Sequence, residues 1–128
     1  MELNELKKIN TTALAYMGDA VYEQAVREHI LEKGLYHANN LHGMAIKYVK
    51  AQAQAKAIRE IFDELTESEQ ALVKRARNRK YTTKAKNADP VTYKWATAFE
   101  AIVGYLYLAG ETERLQWLMH RAIDVTEK

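Results

Sequence analysis

Cysteine is absent from this chain of 128 residues, which excludes a disulfide framework, a thiol nucleophile and a Cys-based zinc site. The one proline is Pro90, and only five glycines occur, at 18, 34, 43, 104 and 110. No linker, repeat or low-complexity tract interrupts the chain. No apolar run is long. The longest extends from Ala101 to Ala109, hemmed by Glu100 and Glu111, and is too short to span a bilayer. The opening Met-Glu-Leu-Asn-Glu lacks the basic-then-apolar layout of a signal peptide. Strand signals are missing too, since no alternating Val/Ile/Thr run is bounded by turns. These absences predict a soluble cytoplasmic protein, and the lack of cysteine suits a reducing compartment.

What is present is helical. With 48% hydrophobic residues the chain is globular, and its length fits a single domain over residues 1–128. Asn10, Thr11 or Thr12 can cap a helix that reaches about Lys33 and stops at Gly34. A second helical region starts near Ala38 or Asn39 and reaches about Leu65, with room for one break. Thr66 and Glu69 form a capping box that opens a helix through about Arg77. Residues 78–88 lack apolar periodicity and read as a basic loop. Asp89 then caps a helix with Pro90 at its first position, the favoured arrangement. That helix ends at Gly110, and Thr112 leads a final amphipathic helix to about Val125. The fold class is all-α, a bundle of about five to seven helices.

Charge is unevenly spread. Lys74, Arg75, Arg77, Arg79, Lys80, Lys84 and Lys86 fall in one segment with no acid. Setting those seven aside from the 19 basic residues leaves 12 against 17 acids, so a mildly acidic body carries one basic segment. Such concentration points to a polyanion, nucleic acid above all. A solvated helix end is the alternative.

Two carboxylates stand in apolar helical stretches. Residues 14–23, Leu-Ala-Tyr-Met-Gly-Asp-Ala-Val-Tyr-Glu, put Asp19 beside Gly18, with Ala15 and Glu23 four residues to either side. Glycine inside a helix costs roughly 1 kcal/mol against alanine, and a buried carboxylate costs more unless a cation meets it. In Trp95-Ala-Thr-Ala-Phe-Glu-Ala-Ile-Val-Gly-Tyr-Leu, Glu100 is flanked by Thr97 at i−3 and Gly104 at i+4. Small residues let helix backbones approach and would bring Asp19 and Glu100 together. Such a pair repels unless a cation lies between its members. All-oxygen ligation suits Mg²⁺ or Mn²⁺. A plain helix contact, with Asp19 reaching solvent, is the other reading of these residues. The four histidines need no catalytic role.

Leu14 to Tyr22 resembles the signature of the ribonuclease III catalytic domain, and Phe99-Glu-Ala-Ile-Val-Gly-Tyr-Leu-Tyr-Leu resembles its second acidic motif. Arg75-Ala-Arg-Asn-Arg-Lys, Lys86-Asn-Ala-Asp-Pro and Ala96-Thr-Ala-Phe-Glu-Ala are similar, in order, to segments of Mini-ribonuclease III. That short bacterial form has no double-stranded-RNA-binding domain. Larger members carry a Glu where this chain has Ala15 and an Asp where it has Thr97. Fewer carboxylates imply weaker metal binding.

The resemblance implies a single ribonuclease III-type endonuclease domain that hydrolyses double-stranded RNA, leaving a 5′-phosphate and a 3′-hydroxyl. It implies that Asp19 and Glu100 hold Mg²⁺, with Mn²⁺ a possible substitute, and carry catalysis. Precursor ribosomal RNA, in 23S end maturation, is the implied substrate. The basic residues from Lys74 to Lys86 are the natural clamp, since duplex RNA is read by shape and phosphates. The resemblance also implies a homodimer, and Tyr16 stands where larger members place an aromatic plug into the partner; an ordinary core tyrosine is the alternative. A non-catalytic RNA-binding or ribosome-associated factor on the same fold is the rival reading.

Overall fold

A computed structural model of the chain describes residues 1–37, 39–80 and 89–128. Among them lie seven α-helices and no strand: α1 Leu3–Leu6, α2 Thr11–Glu32, α3 Leu41–Val49, α4 Ala51–Ile61, α5 Glu67–Asn78, α6 Pro90–Leu108 and α7 Thr112–Glu127. A 3₁₀ turn, Phe62–Glu64, follows α4.

The helix ends follow the local chemistry. Asn10 caps α2 by accepting from the Ala13 N–H at 2.9 Å. The Thr66/Glu69 capping box is complete in both directions. Asp89 accepts from the Thr92 N–H and hydroxyl, and Pro90 takes the first position of α6. Gly34 and Gly110 adopt φ of 80° and 75°, left-handed conformations that end α2 and α6 at little steric cost.

Two features differ from the sequence expectation. The short α1 has too few residues for periodicity to register. The long second region begins two or three residues later than expected, at Leu41, with Asn40 as its cap. It breaks at Lys50, whose ψ of 154° is extended.

Helix α6 is the axis of the bundle. Its apolar residues surround it, and Ala98, Phe99, Ala101, Ile102 and Val103 are fully buried, as expected of a helix packed on every side. Helices α2, α4, α5 and α7 all pack against it. Leu14, Tyr22, Val26, Ile58, Ile61, Val73, Leu118 and Val125 complete the core. Glu69 of the capping box also accepts two hydrogen bonds from Arg114, at 2.8 and 2.9 Å, which ties α5 to α7. Among the described residues no helix is long and apolar enough to cross a membrane.

Candidate active site

The α2–α6 contact is made backbone to backbone. A Cβ added at Gly18 would collide with the Glu100 carbonyl, and one at Gly104 would collide with the Leu14 carbonyl. Leu14 thus meets Gly104 while Tyr22 meets Phe99 edge to face at 4.8 Å, so the two helices run antiparallel. The glycines, unfavourable within each helix alone, are required by this crossing. Any side chain there would push the helices apart.

The close crossing brings Asp19 and Glu100 together. Their side chains lie within hydrogen-bonding reach, Asp19 exposed to solvent and Glu100 half-buried. Burial, then the charge of Asp19 and the hydrogen bond between the two carboxyls, pushes Glu100 up from 4.5 to about 9. At neutral pH, without a cation, Glu100 keeps its proton. Gln54 pulls weakly the other way.

The positions around the pair are apolar or satisfied, except at Glu23. Ala15 is buried, and so is Thr97, whose hydroxyl donates to the Tyr93 carbonyl at 2.9 Å. Glu23 has one carboxylate oxygen 3.5 Å from Arg27 and the other buried without a hydrogen-bond partner. Among the described residues no group of three or more His, Cys, Asp or Glu side chains is placed to hold a metal ion. The donor set is therefore two carboxylates. This fits Mg²⁺, which keeps several waters and takes only one or two protein carboxylates.

The basic segment divides over two faces. Lys74 lies over the Phe62 ring and Arg77 stacks on Trp95 at 4.9 Å, with Arg59 of α4 against the same indole. Arg75 and Arg79 line a cleft with Lys7 and Lys8, near the start of α2. Lys80 follows the end of α5. Lys84 and Lys86 lie outside the described residues. Tyr16 is 83% exposed, although Leu14, Ala15 and Gly18 beside it are buried. His29 belongs to a separate cluster around Glu127.

Gln54 escaped the sequence reading. It is 3% exposed and stands on the apolar stripe Gln54–Ile58–Ile61–Leu65 of the α4 region. A lone amide at a core register position was the available signal.

Residues 12–111 match the model of the ribonuclease III domain. The chain is 50% identical over 115 residues to a Mini-ribonuclease 3 of Symbiobacterium thermophilum, covering 90% of this chain and 88% of the relative. It is 46% identical over 125 residues to that of Streptococcus pneumoniae, covering 96% and 98%. An X-ray crystal structure of a Fusobacterium nucleatum protein superposes with a TM-score of 0.81 at 29% identity, covering 94% of this chain and 96% of that one. With that geometry and this degree of identity, the chain belongs to the Mini-ribonuclease 3 family, metal-dependent endoribonucleases of the ribonuclease III type that act on double-stranded RNA and ribosomal RNA precursors.

Proposed function

We propose that Asp19 and Glu100 are the catalytic, metal-holding residues of this chain, acting with Mg²⁺, or Mn²⁺ in its place, on duplex RNA. The observation that carries the reading is the approach of the two carboxylates across the glycine crossing, with no cation beside them among the described residues. When bound, the divalent ion supplies an activated water and offsets charge developing on the scissile phosphate. The protein's part is to fix two oxygen donors on rigid helices. Glu100 must release its proton as the cation enters, and Asp19, open to solvent, leaves room for water and phosphate oxygens.

Precursor ribosomal RNA, in 23S end maturation, is the physiological substrate of this reading, and the compartment is the cytoplasm. Residues 1–128 act as one catalytic domain and as a homodimer, with Tyr16 entering the partner. Its exposure supports that role, because a large apolar ring in water otherwise gains nothing. Lys74, Arg75, Arg77, Arg79 and Lys80 grip phosphates, as do Lys84 and Lys86.

The test is Mg²⁺-dependent cleavage of duplex RNA by wild type, Asp19→Asn and Glu100→Gln. Wild type should cut and both variants should lose activity by several orders of magnitude while staying folded. Near-normal cutting by either variant would remove it from the site. A wild-type protein that binds the duplex without cutting it would favour the RNA-binding rival.

A further inference from the structure

We propose that Arg59, which lies outside the basic segment, joins Arg77 on the indole of Trp95 to form a two-guanidinium clamp for the phosphates of duplex RNA. Trp95 is the positioning residue of that clamp. The inference rests on the reading above that Arg77 grips phosphates, and it adds a second cation from α4 and a platform from α6.

Three helices meet at this point. Arg59 of α4 lies 5.6 Å from the centre of the Trp95 ring, and Arg77 of α5 lies 4.9 Å from it. Phe62 meets the same indole edge to face at 6.3 Å. Trp95 is half-buried, whereas Arg59 is exposed and Arg77 partly so. The ring is anchored in the fold and the cations reach the surface. Trp95 also precedes Glu100 on α6 by five residues, about 7–8 Å along the helix axis, so the clamp lies close to the carboxylate pair.

Two like charges converge here without a carboxylate. Arg59 forms no ion pair among the described residues, although Glu60, Asp63 and Glu64 all follow closely in sequence. Glu60 pairs with Lys128 and Glu64 with Arg121 instead. Arg77 donates its Nε to the Asn78 side chain at 3.0 Å and likewise meets no carboxylate among the described residues. Contact with a ring face engages the charge of a guanidinium and leaves the N–H groups at its edge for other acceptors.

Arg114 shows the opposite outcome. It too lies over an indole, that of Trp117 at 4.0 Å, but its nitrogens donate to the Glu69 carboxylate and the Glu64 carbonyl. A stacked arginine whose donors are spent inside the protein is structural. The pair on Trp95 lacks the anion that completes such an arrangement, and a phosphate supplies both the charge and the acceptors for a guanidinium fork. Holding each arginine against a ring also reduces the side-chain freedom lost when RNA binds. Lys56 lines a groove beside Arg59, with Thr92 at the start of α6, and continues the cationic surface.

The experiment measures binding of duplex RNA over a range of salt by the full chain carrying Asp19→Asn, so that nothing is cut. Into that background go Arg59→Ala, Arg79→Ala, the Arg59→Ala/Arg77→Ala pair, Trp95→Phe and Trp95→Leu, each checked for folding by melts. Arg59→Ala should weaken binding roughly tenfold and lower the salt slope by about 1. Trp95→Phe keeps a ring and should stay within about threefold of its parent, whereas Trp95→Leu should approach the double arginine variant. Parental affinity and salt slope in Arg59→Ala, beside a weakened Arg79→Ala, overturn the inference and leave the basic segment as the phosphate grip. Unchanged binding in Arg79→Ala and in the double variant overturns the reading of the basic segment too. Weaker binding at an unchanged salt slope would mean lost packing, not a lost phosphate contact, and also overturns the inference. A folded Trp95→Leu that binds like Trp95→Phe removes Trp95 from the clamp. Arg59 is exposed, so its replacement leaves the core intact and decides the matter even where Trp95→Leu unfolds.

Discussion

Two carboxylates of this protein sit in opposite circumstances. Glu127, at the end of α7, accepts from the Tyr48 hydroxyl at 2.7 Å and is met by His29 of α2 and by Lys33 just after that helix. The Lys33 ammonium leads the contacts that hold its carboxyl down at about 2, against the cost of desolvation. Glu100 is more deeply enclosed and faces another acid, and its proton affinity rises to about 9. The first group is a finished structural pair. The second meets no cation among the described residues, and a proton or a bound metal ion would satisfy it. That contrast separates a carboxylate that holds the fold together from one that awaits a ligand.

The largest expected effect breaks the comparison at its centre. Glu100→Gln should reduce cleavage by about 10³ or more, because metal-borne charge stabilisation is worth several kcal/mol and each ~1.4 kcal/mol is tenfold. Glu127→Gln should leave the rate on folded protein within about twofold and cost about 1–3 kcal/mol of stability, the usual cost of losing hydrogen bonds to a charged group. Cleavage rates and denaturant melts on both variants decide it. Similar losses of rate in the two would erase the distinction.

The basic residues come next, because they are the cationic counterpart. Arg114 and Arg121 are taken by Glu69 and Glu64, whereas Arg75, Arg77, Arg79 and Lys80 form no ion pair among the described residues. Replacing these four with Ala, in an Asp19→Asn background that prevents cutting, should weaken binding about tenfold or more on unrelated duplexes. The salt dependence should flatten as well, since fewer counterions are released on binding. An unchanged salt slope would move the phosphate contacts elsewhere on the surface.

The two carboxylates also predict opposite pH dependences. In metal-free folded protein Glu100 keeps its proton to about 9, while an unfolded glutamate loses it near 4.5. Between those values the folded state binds more protons, so stability falls as pH rises. Glu127 has the reverse sign. Its contribution is present above 4.5 and is lost as pH falls toward about 2. Denaturant melts at about pH 5.5 and about pH 8.5 should show a decline in metal-free wild type that Glu100→Gln lessens. Mg²⁺ should bind more tightly at the higher pH, since it must displace a proton. An equal decline in the variant would mean that Glu100 does not carry it.

Helix ends were legible in the sequence because capping is local: Asn10, Thr66, Asp89 and Pro90 each act within about one turn. The α2–α6 crossing was half legible. Gly18 and Gly104 signalled a close approach, but no spacing within one helix specifies which other helix it meets. Gln54 was hidden for the same reason, since its partner, the Val49 carbonyl, is set by a helix break and its burial by the packing of α4 on α6. The Glu127 cluster joins residues from three helices, and local pattern says nothing of such a meeting. The division of the basic segment over two faces depended on the rings of Phe62 and Trp95, which only the tertiary fold brings near.

The smallest effect sharpens the comparison by adding charge to the carboxylate pair that has no cation beside it among the described residues. Thr97 lies one turn before Glu100 and is 7% exposed, with its hydroxyl spent on the Tyr93 carbonyl. Thr97→Asp therefore sacrifices one local hydrogen bond and introduces a third carboxylate beside the pair. Without metal this acid has no cation to meet it and should lower stability. With metal the extra ligand charge should lower the Mg²⁺ concentration for half-maximal cleavage several-fold, because carboxylate count raises affinity for hard cations. The two consequences have one cause, so they should appear together: a less stable metal-free protein with a larger stabilisation on adding Mg²⁺. Melts with and without Mg²⁺, beside a metal titration of cleavage, measure both. A variant that needs as much Mg²⁺ as wild type, or more, would show that added negative charge at this edge of the pair does not reach the cation.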